Sequence, residues 1–121
     1  MISCFPDMST AAPSRTDPAT AARFFRVLGD ATRLRVLEIL DGGERPVREL
    51  VAATGVAQAR MSTHLACLRH CGFVVAERRG KEVYYRLALG GLDEMLANSD
   101  RVMAPLAGQL ASCSRIGPDW V

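Results

Sequence analysis

No segment of the 121-residue chain stays apolar over the ~20 residues that a membrane-spanning helix requires. The longest apolar tract, Val102 to Ser114, is short and interrupted by Pro105 and Gly108, so no membrane contact is expected. The first residues, MISCFPDMSTAAPSR, lack the charged start and continuous apolar stretch of a secretory signal, and a cytoplasmic location is the expectation. No internal repeat is visible. The net charge, +2, is too small to imply a nucleic-acid partner by itself. Four cysteines in a reducing compartment suit metal ligation or redox sensing better than a disulfide framework.

What the chain does have is an apolar fraction of 49%, enough for one small core. Residues 1–17 are rich in Ser, Thr, Pro and Ala without helical periodicity and read as a mobile tail carrying Cys4. A helix is predicted from Pro18, with Ala21, Phe24, Phe25 and Leu28 at three- and four-residue steps and Gly29 as its stop. Asp30 caps a second helix that buries Leu34, Leu37 and Leu40 and ends at Gly42 and Gly43. A short third helix fits Val47 to Thr54, and Gly55 permits the tight turn after it. The fourth runs from about Ala57 to Cys71, with Met61, Leu65 and Leu68 in one stripe.

Helix, glycine-containing turn, helix is the helix-turn-helix arrangement. The apolar period then changes: Phe73 to Arg78 and Glu82 to Leu87 are rich in Val, Tyr and Phe, and Arg79-Gly80-Lys81 joins them as a hairpin. The fold class expected is mainly α with a β-hairpin, a winged helix-turn-helix over residues 18–90. Residues 91–114 form a C-terminal helix that Pro105 kinks or breaks, and 115–121 form a tail. A domain this small has little else to cover that helix, so the terminal helices are expected to make a homodimer.

The second helix of such a motif enters the major groove N-terminus first. The residues placed there are Gln58, Ala59, Arg60, Ser62, Thr63 and His64, of which Gln suits adenine and Arg suits guanine. From Gln58 to Arg86 there are six basic residues (Arg60, Arg69, Arg78, Arg79, Lys81, Arg86) against Glu77 and Glu82. Arg78, Arg79 and Lys81 form a basic hairpin tip suited to phosphate, and double-stranded DNA is the expected partner.

Cys67 and Cys71 lie on the same helix, ~40° apart around its axis and ~100° from the centre of the core stripe. A single free cysteine is usually a small buried hydrophobe. An i, i+4 pair differs, because both sulfurs reach one ion at ~2.3–2.6 Å without unwinding the helix. Two ligands leave most metals incomplete, and Cys113 or Cys4 can complete the site from the same subunit or across a dimer. Thiolates select soft ions, so cadmium, lead, mercury or trivalent arsenic fit and magnesium does not. A second reading is a DNA binder switched by cysteine oxidation. A thiol enzyme is disfavoured, since adjacent His70 and Cys71 project ~100° apart and no carboxylate is placed to orient either histidine.

The runs LGDATRLRVL (Leu28 to Leu37) and MSTHLACLRHCGFVVAERRGKEVYYRL (Met61 to Leu87) resemble the ArsR/SmtB family of metal-responsive transcriptional repressors, over about residues 18–114. The resemblance implies a dimeric winged helix-turn-helix that releases its operator when metal binds. Two of that family's sensor locations are excluded: VRELVAA (Val47 to Ala53) contains no cysteine, and no histidine follows His70. What remains looks like the cadmium- and lead-sensing branch, whose C-L-R-x-C pattern and C-terminal cysteine correspond to Cys67, Cys71 and Cys113.

Overall fold

The computed structural model describes residues 16–115. Cys4, most of the tail expected over 1–17 and all of 115–121 except Arg115 lie outside the described residues. Helix α1 (Pro18–Leu28) begins with proline in its first turn, where a missing N–H costs nothing. Helix α2 (Ala31–Asp41) is capped by Asp30, whose carboxylate accepts from the Arg33 N–H at 3.0 Å. Arg33 also ties the two helices together, its Nε donating to the Val27 carbonyl at 2.6 Å.

Helix α3 (Val47–Thr54) ends at Gly55, which adopts φ +73°, and helix α4 (Gln58–His70) follows after two more residues. The Thr54 hydroxyl fixes the turn, donating to the Leu50 carbonyl at 2.7 Å and accepting from the Val56 N–H at 3.2 Å. At the other end of α4 the Gly72 N–H reaches the Arg69 carbonyl and the Phe73 N–H reaches the Leu68 carbonyl at 2.9 Å. With Gly72 at φ +86°, this is a Schellman closure that folds Phe73 back beneath the helix end.

The sequence predicts a two-stranded hairpin, and the structure contains a three-stranded antiparallel sheet in the order β1-β3-β2. Strand β1 (Arg45–Pro46) is only two residues long, too short to carry an alternating pattern, and it pairs with β3 through Arg45↔Tyr85 and Pro46↔Tyr84. Strands β2 (Val74–Arg79) and β3 (Glu82–Leu87) leave a two-residue tip, Gly80-Lys81. Arg79 therefore belongs to the sheet, opposite Glu82, and not to the turn as its sequence suggests.

Helix α5 (Leu92–Met103) passes through a 3₁₀ turn at Ala104–Leu106 into α6 (Ala107–Ser112). Pro105 cannot donate to the preceding helical turn, and the break falls there as expected. The core joins Leu28, Val36, Leu37, Leu40, Leu50, Met61, Leu65, Leu68, Phe73, Val74 and Leu92, with no polar or charged side chain buried among the described residues. Apolar burial, not ion pairing, therefore holds the helices in place. One apolar strip stays open, formed by Phe25 of α1 and Val102, Met103, Leu106 and Leu110 of the C-terminal segment.

Gly55 has open space around its Cα, so replacing it tests backbone conformation alone. Gly55→Ala should lower the unfolding free energy by about 1–2 kcal/mol in chemical denaturation. Gly90→Ala, at an equally open position without positive φ, should change it by less than about 0.5 kcal/mol.

Candidate nucleic-acid interface and thiol pair

Burial of Met61, Leu65 and Leu68 fixes the rotation of α4 about its axis. Gln58, Ala59, Arg60, Ser62 and Thr63 are consequently exposed along its first half. Ala57 precedes the helix without a side-chain cap, which leaves the first-turn N–H groups without a partner among the described residues. The positive end of the helix and its unpaired donors together favour an anion at that terminus.

His64 departs from this face. The sequence places it with the DNA-reading residues, yet its side chain is only 12% exposed and turned toward the N-terminus of α2. Its Nδ1 is buried without a hydrogen-bond partner among the described residues, 3.9 Å from the Asp30 carboxylate. The reason is its position on the edge of the buried stripe, one turn before Leu68, where α2 packs against α4.

The wing is electrically quieter than its sequence suggests. Arg79 makes a two-pronged bond to Glu44 at 2.6 and 3.0 Å, meets Glu77 at 2.9 Å and lies 4.6 Å from the centre of the Tyr84 ring. Arg48 of α3 pairs with Glu82 of β3. Arg78 and Lys81 remain exposed at the tip, with Arg78 donating to the Gly80 carbonyl at 3.3 Å. Sequence charge counting missed Glu44, because it lies 35 residues before the arginine it neutralises.

Cys67 is half-buried and Cys71 exposed at the C-terminal end of α4. Partial desolvation, then the charge and hydrogen bond of the neighbouring Cys67 thiol, push up the Cys71 thiol, while Arg33 opposes the shift. The helix stays intact through Cys71, whose N–H reaches the Cys67 carbonyl at 3.0 Å, so the two cysteines lie one turn apart on the same side of α4. The negative end of the helix lies here, an environment that favours a cation. Cys113 follows α6 and is half-buried. Within one chain, no three His, Cys, Asp or Glu side chains among the described residues come close enough to hold one ion. Of the thiols named from the sequence, Cys67 and Cys71 lie one turn apart at the end of α4, and Cys113 forms no three-donor cluster with them among the described residues.

The Glu44 and Glu82 carboxyls are held below the usual carboxylate range, chiefly by hydrogen bonds from Arg79 and Arg48 respectively. A depressed folded-state pKa means that this tethering is complete above the unfolded carboxylate range and is lost as pH falls through the lowered values. Protection factors of the β2 and β3 amides, measured by NMR against the intrinsic exchange rate at each pH, should therefore fall on acidification before those of α4, and Glu44→Gln should weaken the protection at neutral pH.

A model of bacterial regulatory proteins of the arsR family matches residues 30–75. A Streptomyces lividans protein named as a probable mercury resistance operon repressor is 39% identical over 109 residues, covering 90% of this chain and 87% of its own length. Among solved structures, Rv0081 of Mycobacterium tuberculosis superposes with a TM-score of 0.67 at 31% identity, covering 80% of this chain and all of that one. Mb0332 of Mycobacterium bovis, described as a homodimeric winged helix-turn-helix DNA-binding domain, gives 0.58 at 31% identity over 77% of this chain and 91% of its own.

Proposed function

The chain belongs to the ArsR family of bacterial regulatory proteins, and from that membership we propose that it binds operator DNA in the cytoplasm as a homodimer and releases it when a soft metal ion binds its cysteine thiolates. It is a transcriptional repressor related to metal-sensing regulators, and not an enzyme. One observation carries the proposal: α4 holds exposed polar residues at its N-terminal end and two cysteines one turn apart at its C-terminal end.

The DNA contacts follow from the exposed geometry. Gln58, Arg60, Ser62 and Thr63 face base edges in the major groove, while Ala59 permits close approach. The free first-turn N–H groups and the wing residues Arg78 and Lys81 meet phosphate. Arg79, held by Glu44 and Glu77, orients the wing and adds little net charge. His64 acts from behind the helix, through its packing against the Asp30 cap.

Homodimerisation covers the open strip of Phe25, Val102, Met103, Leu106 and Leu110, of which Phe25 is 60% and Val102 70% exposed. The Mb0332 domain, described as homodimeric, supports a dimer. Both reading heads then depend on how α5 and α6 sit, so a ligand that engages Cys113 together with Cys67 and Cys71 changes the spacing of the two α4 helices. Major-groove half-sites lie ~34 Å apart, and a modest reorientation of one head misplaces the other.

Cys67 and Cys71 supply the fixed half of the ion site, and Cys113 the third donor, from either subunit; Cys4 is the alternative third donor. A bound cadmium, lead, mercury or trivalent arsenic centre supplies the cross-link between these sulfurs. The mercury-resistance relative supports a soft metal as effector.

With DNA sites selected by binding in vitro, gel shifts should show operator affinity falling by about 5- to 150-fold on addition of cadmium, lead, mercury or arsenite. Cys67→Ser should remove the response while leaving metal-free DNA affinity within twofold. Unchanged affinity with all four ions would overturn the proposal.

A further inference from the structure

Where the start of α3, the start of α4 and the wing meet, the surface holds a cleft of about 220 Å³, lined by Val47, Arg48, Gln58, Lys81, Glu82 and Val83. At ~30 Å³ per water it has room for about seven waters, enough for a phosphate group and part of its hydration. In a helix-turn-helix the first helix crosses the DNA backbone and the second enters the groove, here by the end that begins with Gln58. The cleft therefore opens where the backbone of a bound duplex passes. Lys81, at the wing tip, is exposed and has no ion-pair partner among the described residues.

Arg48 is engaged differently. Its side chain is 64% exposed, yet its Nε donates to the Glu82 carboxylate. Its Nη1 also lies 3.7 Å from Glu49, a carboxylate that Arg45 meets at the same distance. Glu82 accepts a second bond from the Tyr84 hydroxyl at 3.5 Å. Held below the usual carboxylate range, chiefly by Arg48, it is ionised at neutral pH. Carboxylate and phosphate present the same pair of oxygens to a guanidinium fork, so one can take the other's place. An exposed ion pair is weak and yields readily to a stronger competitor.

We propose that this cleft seats one backbone phosphate of the bound duplex, and that Glu82 occupies Arg48 in the free protein in that phosphate's place. On DNA the Arg48 guanidinium passes from Glu82 to the phosphate, where Lys81 joins it. Glu82 is then an internal competitor that lowers affinity for every sequence alike, because phosphate contacts carry no sequence information. In the free protein the same pair ties the wing to α3. The inference rests on the operator-binding reading and adds to it a phosphate contact from α3 and the carboxylate that restrains it.

The test is fluorescence anisotropy of the full chain on two labelled duplexes of equal length, one selected for binding in vitro and one scrambled, at about 50 to 200 mM salt. Arg48→Ala should weaken binding to both by a similar factor, about tenfold at the low-salt end. It should also make the slope of log affinity against log salt shallower by about one per subunit. Glu82→Gln should strengthen binding to both by about threefold or more, since Arg48 is then uncontested. In the Arg48→Ala background the same change should gain less than about twofold. Arg48→Lys keeps the charge without the fork, so it should retain the salt slope and lose only part of the affinity. Thermal melts check that each variant folds.

A clamp that merely holds the wing predicts the opposite sign for Glu82→Gln, because removing either partner then loosens the wing. Weaker or unchanged DNA binding by Glu82→Gln, an unchanged salt slope in Arg48→Ala, or an equal Glu82→Gln gain with and without Arg48 overturns the proposal. Failure of the operator-binding reading has a different signature: the unaltered chain then shows no preference for the selected duplex over the scrambled one at any salt.

Discussion

Met61, Leu65 and Leu68 are wholly buried, and their burial sets the rotation of α4 on which every functional feature of this chain depends. A helix has one angular degree of freedom about its axis, and three side chains locked into a packed core remove it. The same rotation exposes Gln58, Arg60, Ser62 and Thr63, turns His64 inward, and leaves Cys67 half-buried and Cys71 exposed. The exposed polar face and the placement of the thiols are therefore two consequences of one packing decision. A change large enough to disturb either must strain the core or move α4 as a rigid body.

The second dependence is on the ends of that helix. Gly55 with the Thr54 hydroxyl delivers the chain into α4 at a fixed angle, and the Schellman closure at Gly72 returns it beneath Cys71. Over α4's thirteen residues these two glycine-controlled turns are about 20 Å apart, so a small displacement at the thiol end is carried to the other end by a stiff rod. Ion pairs contribute differently: the Glu44–Arg79 and Arg48–Glu82 clamps are exposed and orient the wing, with little weight in global stability.

Local chemistry was the legible part of the sequence. Asp30 as a cap, Gly29 and Gly55 as stops, Pro105 as a break and the Met61–Leu65–Leu68 stripe each act through neighbours within a turn, and each stands where the pattern places it. Features that depend on distant partners were not legible. Strand β1 gains its identity from Tyr84 and Tyr85, Arg79 loses its free charge to Glu44, and His64 is turned by α2. The same distinction applies to the thiols. Cys67 and Cys71 share one side of α4 because their i, i+4 spacing puts them there, whereas spacing along the chain cannot say where Cys113 lies relative to them, and among the described residues of one chain it forms no three-donor cluster with them.

Coupling between the two ends of α4 is the central claim, and linkage makes it measurable from either side, because a ligand that weakens DNA binding must itself be weakened by DNA to the same factor. The most direct measurement is the cadmium dissociation constant, read from thiolate-to-metal absorption, for the free dimer and for the dimer saturated with operator. The account predicts weaker cadmium binding on DNA, by the factor through which cadmium weakens the operator complex. Equal cadmium affinity on and off DNA would contradict it, since the thiol pair would then be a metal site with no connection to the reading face of its own helix.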